Sequence, residues 1–396
     1  MNRREFLISA GIIVAFSSVP FIRKLSAPKP LTLQNAYSLW YNRPAVAELD
    51  GGFCVGYVTS KGEVMVAEIT DLLIVRRTAH LHKFDDSSDH GSPSLIRIPS
   101  GKYAGHVMAC FSNHASPMFC ARSMKQNDVW SWSKSNVIDP GRATYASLAA
   151  LSDGRVLLMY TLQERMGQYS SGEWRRLVSR CTNDGGDTWS DPVDIVGFGA
   201  GTFPYSTPLS LAKDGRCAMT YAVYSSSAKK HHGLTVVITS DAFQTKKEYP
   251  IDLGQNAGLD TIPYETRWIS DNAICVSYTE MSLDGLRGIS RVVTVNLVNG
   301  EVVSNLQVAE TALHTYASGA AIGLDGKVVV TSPVSGGLVR HELETGEVNS
   351  LVESGQFSSP WIFSVRRKPI LMALRNPTIR TTRDFRADIY LMALLP

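Results

Sequence analysis

The chain has 396 residues, 44% hydrophobic and 19% charged, with no low-complexity tract, a composition that excludes a disordered polymer. Its formal charge is +3, and residues 1–27 carry Arg3, Arg4, Arg23 and Lys24 against Glu5, so this segment holds the whole surplus and the remainder is neutral. A neutral body argues against nucleic acid as a partner, whereas an acidic polysaccharide needs only a local cluster of cations.

The first element is Asn2-Arg3-Arg4-Glu5-Phe6-Leu7-Ile8, followed by an apolar run to Phe16 and by Arg23-Lys24. Paired arginines ahead of a short apolar segment form the pattern of a twin-arginine export signal. The run is too short for a permanent membrane helix. We therefore expect a signal segment at 1–27, handled by the twin-arginine machinery, and one domain over 28–396. That places the protein in the periplasm or outside the cell, or at the membrane if the signal stays uncleaved. The six cysteines show no CxxC or Cys/His pairing, and most sit in apolar runs such as GFCVGY and AICVSY. They read as core thiols rather than metal ligands or disulfides.

From residue 46 onward a unit recurs. Asp50-Gly51, Ser100-Gly101, Asp153-Gly154, Asp214-Gly215, Asp271-Asn272, Asp325-Gly326 and Arg366-Arg367 each separate two apolar β-type runs. Strand, tight turn, strand is a hairpin, and hairpins at a recurring interval indicate a repeat architecture. The segment Thr182-Asn-Asp184-Gly-Gly186-Asp-Thr188-Trp189 resembles the Asp-box of sialidase-type propellers, with degenerate copies at Ser123–Trp130 and Thr239–Phe243. Its aspartate caps backbone N–H groups and its glycines take positive φ. The expected fold is all-β: a sialidase-like, seven-bladed β-propeller of four-stranded antiparallel blades.

In such a fold the first strand of each blade starts at the face where sites are built. Arg97-Ile98-Pro99 matches the tripeptide that opens the first active-site strand of sialidases, but Ser100-Gly101 turns the chain at once. Arg97 therefore falls at the far end of its strand, and His90 falls at the site face. The same rule brings Tyr145, Tyr205, Tyr264, His314 and Tyr316 to that face, with His114, Arg165, Lys229 to His232, Glu280 and Arg375 on the returning loops. Tyr205 and Tyr264 suit platforms for sugar rings. Lys229 to His232 reads as a solvated loop. Arg267 and Arg375 could face the channel and grip a carboxylate.

The stretches WYNRPAVAELDGGFCVGYVTSKGEVMVA, DHGSPSL, FSNHASP, ATYASLAALSDGR and NDGGDTWSDP resemble the BNR-repeat propellers that include the ulvan-type polysaccharide lyases. The similarity spans about Trp40 to Trp189 and is diffuse beyond. It implies that His90 and His114 occupy the two histidine positions of the lyase site and Tyr145 its tyrosine. Arg165 is a loose match to the arginine that binds the uronate carboxylate, since Thr161 stands where that arginine is expected. The implied activity is β-elimination in an acidic polysaccharide or oligosaccharide by a monomeric enzyme, with base and acid unassigned between His90, His114 and Tyr145. Calcium or zinc is compatible with such a fold, but no ligand spacing demands either. A sialidase-like glycoside hydrolase and a non-catalytic carbohydrate-binding or assembly propeller are the competing readings.

Overall fold

Each of the seven turns lies between two strands that pair antiparallel. In the computed structural model, which describes residues 28–165, 173–197, 201–254, 260–281, 287–312 and 319–394, the pairs include Val46–Leu49 with Gly52–Val58, Ser94–Arg97 with Val107–Phe111, and Asp260–Ser270 with Ala273–Met281. The export segment expected at 1–27 lies outside the described residues, as do His314 and Tyr316. Arg97 ends its strand as expected, with Nη2 3.0 Å from Asp50 Oδ1.

The hairpins extend into meanders. One sheet runs Val46–Leu49, Gly52–Val58, Glu63–Thr70, Val75–Lys83, and a second runs Asp260–Ser270, Ala273–Met281, Arg287–Asn296, Val302–Ala312. A third four-stranded sheet is built from Ala320–Ile322 to Val348–Val352. Thr202–Ser206 and Ser210–Leu211 both pair with Cys217–Ser225 to open a five-stranded sheet. A seven-stranded sheet hinges on Asn136–Ala150, whose first half pairs with Ser116–Arg122 and whose second half pairs with Val156–Arg165. In the last sheet Leu31–Leu33 pairs with Phe385–Ala393, so the chain's N-terminal side completes the sheet formed by its C-terminal side.

Apolar cores lie between consecutive meanders. Cys54 and Val64 pack with Leu95 and Phe111, Leu157 and Met159 with Cys217 and Val237, and Phe363 and Met372 with Phe53 and Val55. Radial meanders separated by such cores are the β-propeller arrangement. Around the centre, hydroxyls link the first strands of neighbouring units. Ser94 Oγ donates to Pro44 O and accepts from Leu148 N, and Ser147 Oγ donates to Arg43 O and accepts from Leu209 N. All six cysteines are free thiols, five of them buried, in line with the sequence.

The turn at 182–188 is self-bonded. Asp184 Oδ1 accepts from Thr182 Oγ1 at 2.8 Å and from Thr188 N at 2.9 Å, while Gly186 N donates to Thr182 Oγ1. Thr239, Asp241, Phe243 and Thr245 repeat the same bonds, with Ala242 and Phe243 at φ +62° and +67° where the first turn has glycines. The bond pattern therefore survives without the glycines.

Candidate active site

The stretch Ser88-Asp89-His90-Gly91 forms a one-turn 3₁₀ segment because Ser88 Oγ caps the His90 N–H. Asn42, from a second such turn at Trp40–Asn42, donates through Nδ2 to His90 O and Ser92 O, both at 2.8 Å. His90 is thereby fixed from both sides, and it is only 2% exposed. Its Nδ1 lies 2.6 Å from Asp89 Oδ1 and its Nε2 lies 3.0 Å from Tyr145 Oη.

Tyr145 is delivered by a bulge. Within Asn136–Ala150 the pairing with Val156–Arg165 shifts register between Ser147 and Thr144, and Tyr145 takes φ +61°. A bulge re-aims one side chain of a strand, and positive φ in a bulky residue is sterically costly. Burial pushes the Tyr145 phenol well above its ordinary pKa; Tyr205 adds to the rise, the Arg175 guanidinium pulls against it, and Asp89 adds again. Tyr145 is therefore protonated at neutral pH.

His114, on an exposed turn, sets its ring edge-on to His90 with centroids 4.7 Å apart. The expected trio of His90, His114 and Tyr145 is brought together. Tyr205 joins it at 6.2 Å from Tyr145, and Tyr41 fills the space between, 4.3 Å from Tyr145 and 6.0 Å from Tyr205.

The arginine beside this cluster is Arg175, which the sequence reading missed. It lies on Glu173–Thr182 directly across from Gln163, donates to Tyr205 Oη at 2.9 Å, and stacks over Phe203 at 4.7 Å. Gln163 is 3% exposed, and among the described residues neither its Oε1 nor its Nε2 has a partner. The backbone of Arg165 pairs with Glu173, but its side chain lies outside the described residues.

Three expectations need correction. Tyr264 is fully buried and cannot be a sugar platform: it accepts from Arg43 Nη2 at 3.0 Å and donates to Pro360 O. Arg267 does line the central cavity, but toward the other end of its strand from Asp260 at the site end. Its guanidinium is bonded to Glu265 and to Ile362 O rather than placed to grip a substrate carboxylate. The stretch Lys230–Thr239 is a strand rather than a loop, and His231 Nδ1 sits 2.9 Å from Asp260 Oδ1 with its ring edge-on to Tyr205. Arg375 is half-buried on Lys368–Ile379, opposite Phe357, and Asp388 lies opposite it on the other side. No groups of three or more His, Cys, Asp or Glu side chains able to hold a metal occur among the described residues.

No protein-family model matches this chain, and no curated protein matches it. Solved structures do. A polysaccharide lyase of the PL25 ulvan lyase family superimposes with a TM-score of 0.66 at 12% identity, covering 93% of this chain and 95% of that one. The form of the ulvan lyase bound to -[GlcA(1-4)Rha3S]- gives 0.64 at 12% over the same shares. The GH93 α-L-arabinofuranosidase of Fusarium graminearum in complex with arabinobiose gives 0.51 at 12%, covering 92% of this chain and 97% of that one. At these identities the likeness establishes the fold.

Proposed function

We propose that this chain is an exported polysaccharide lyase that cleaves a uronate-containing chain by β-elimination, built as seven four-stranded blades when the two halves of Asn136–Ala150 are assigned to separate blades. The observation that carries the reading is the buried relay Asp89–His90–Tyr145, with Arg175 beside it.

β-Elimination removes the proton on C5, next to the uronate carboxylate, and expels the C4 oxygen. The carbanion is accessible only if the carboxylate charge is neutralised while the enolate forms. Arg175 is the cation in place for this, with Tyr205 and Gln163 as neutral donors. Tyr145 is protonated, so it acts as base only if its own proton leaves as the C5 proton arrives. His90 Nε2, at 3.0 Å, is positioned to take that proton, and the buried Asp89 carboxylate stabilises the imidazolium that results. His114, exposed at the rim, is placed to protonate the departing oxygen. The bond between C4 and its oxygen breaks, the C4=C5 double bond forms, and each proton has a named acceptor.

The ulvan lyase bound to an acidic disaccharide unit supports the substrate class. A glycoside hydrolase is the second reading, favoured by the arabinofuranosidase likeness. Hydrolysis uses a pair of carboxyl groups flanking the bond; here Asp89 and Asp260 are each engaged by a histidine.

The test is to incubate the protein with uronate polysaccharides and follow the ultraviolet absorbance of the conjugated product. We expect absorbance to rise, and kcat/KM to fall by roughly 10²–10⁴-fold in His90→Ala and Tyr145→Phe. New reducing ends without absorbance would establish the hydrolase instead.

A further inference from the structure

A bulge decides which of two adjacent histidines faces the site. Cys217–Ser225 pairs with Lys230–Thr239 in one register from Cys217 and Thr239 to Tyr221 and Thr235; the register then shifts by one residue, so that Val223 meets His232 and Tyr224 meets His231. Gly233 and Leu234 share the place opposite Ala222, and Gly233 takes φ +65°, the left-handed conformation that such a bulge uses. A slip of one residue exchanges the two faces of a strand. Unbroken register would set His232 opposite Tyr224, and the bulge sets His231 there instead. His231 is half-buried, whereas His232 is exposed.

His231 is clamped. Asp260 Oδ1 accepts from His231 N at 2.7 Å and lies 2.9 Å from Nδ1. A carboxylate only accepts, so Nδ1 carries the hydrogen and the ring orientation is set. Asp260 opens the next sheet, so the clamp spans two meanders. The imidazole stands edge-on to Tyr205 with centroids 4.9 Å apart, closer than Tyr41 at 6.0 Å or Tyr145 at 6.2 Å. Tyr205 Oη in turn accepts from Arg175 Nη1 at 2.9 Å. Asp260, His231, Tyr205 and Arg175 thus form a continuous line of contacts that ends on the cation the elimination needs. An arginine side chain has many rotamers, and a charge stabiliser is effective only if it is held in place before the reaction.

We propose that His231 is a positioning residue of this site: clamped by Asp260, it braces the Tyr205 ring and so aims the Arg175 guanidinium at the substrate carboxylate. The inference rests on the reading of Arg175 as the cation that meets a uronate. It gives the second histidine–carboxylate pair a geometric part without proton transfer, in contrast to His90, whose Nε2 bonds a tyrosine hydroxyl directly.

The experiment is a double-mutant cycle on the full chain, with kcat/KM on a uronate polysaccharide as the readout and Tm as the check of folding. Misplacing a group at the reacting centre by about 1 Å costs up to roughly 10²-fold, so His231→Ala should lower kcat/KM by about 10- to 10²-fold. His232→Ala, one position away on the other face, should leave it unchanged. In an Arg175→Gln background His231→Ala should cost nothing further, because a residue that acts only through Arg175 has nothing left to place. Asp260→Asn keeps an oxygen that accepts both N–H groups and should retain the activity that Asp260→Ala loses; this pair carries the cycle if His231→Ala fails to fold. An equal cost of His231→Ala with and without Arg175 would overturn the proposal. The same cycle is read as the Kd of the polysaccharide in a His90→Ala background, where cleavage is slow. Binding that shows the coupling, with no absorbance change from the unaltered chain, would overturn the lyase reading and keep the brace. Cleavage without the coupling would overturn the brace alone, and neither binding nor cleavage would overturn both.

Discussion

At the scale of single residues, the site depends on two histidine–carboxylate contacts and one displaced tyrosine. Asn42 touches no reacting atom, yet its Nδ2 holds both carbonyls that fix the His90 turn. We expect Asn42→Ala to reduce kcat with little change in KM, and steady-state kinetics on a cleaved uronate polymer would check it. Arg175→Gln should instead reduce kcat and kcat/KM together, by an amount comparable to removing a single stabilising donor, about 10²–10³-fold. Acid behaviour is set elsewhere. Burial raises the Asp184 carboxyl, but hydrogen bonds from the Thr188 side chain and backbone and from Thr182 outweigh it and bring the pKa down to about 2. A carboxylate with a depressed folded-state pKa stabilises fully above its unfolded value of about 3.9 and loses that contribution as pH falls toward the folded value. Stability should therefore decline between roughly pH 4 and pH 2. Asp184→Asn should flatten part of that decline in acid unfolding monitored by circular dichroism.

At the scale of elements, the hairpin turns were legible because Asp-Gly and Ser-Gly punctuate apolar runs, and that chemistry is local. His90, His114 and Tyr145 could be brought to one place from strand starts alone. Arg175 could not: its position depends on the register of Glu173–Thr182 against Val156–Arg165, and nothing in the residues between them states that register. Tyr264 failed for a related reason, since its burial comes from Arg43, Trp40 and Pro360, all distant in sequence. Register has a further consequence for Cys110 and Cys120. Ser123 N donates to Val107 O, so Val107 and Ser123 form a hydrogen-bonded pair. Hydrogen-bonded and non-bonded pairs alternate, which makes Cys110 and Cys120, three positions along, a non-bonded pair with close Cβ atoms. Burial raises the Cys110 thiol well above its ordinary pKa and a hydrogen bond with Cys120 raises it further. Such a pair meets the spacing of a disulfide. A disulfide catalyst with oxidised glutathione should close the bridge on partial unfolding, detectable as a loss of two mass units and two titratable thiols. In the native fold the buried, protonated thiols should resist.

At the scale of the molecule, closure rests on the short strand Leu31–Leu33 and on backbone bonds from Asn35 and Ala36 just after it. Leu31, Thr32 and Leu33 pair with Leu391, Tyr390 and Ile389, and Asn35 N donates to Asp388 Oδ1. Deleting residues 28–36 would bare the edge of Phe385–Ala393, and an unpaired edge invites pairing with another chain. We expect the truncated protein to melt several degrees lower and to elute partly as larger species in size-exclusion chromatography. The same pairing has a consequence in time. The partners are separated by 353 positions between Asn35 and Asp388, and contacts across so much chain form slowly because loop-closure entropy is lost before they reward it. During synthesis the meanders can pack in order as they emerge, but the segment around residue 32 must remain unpaired until residue 391 leaves the ribosome. Leu31–Leu33, made before the other described strands, is thus among the last of them to find its place.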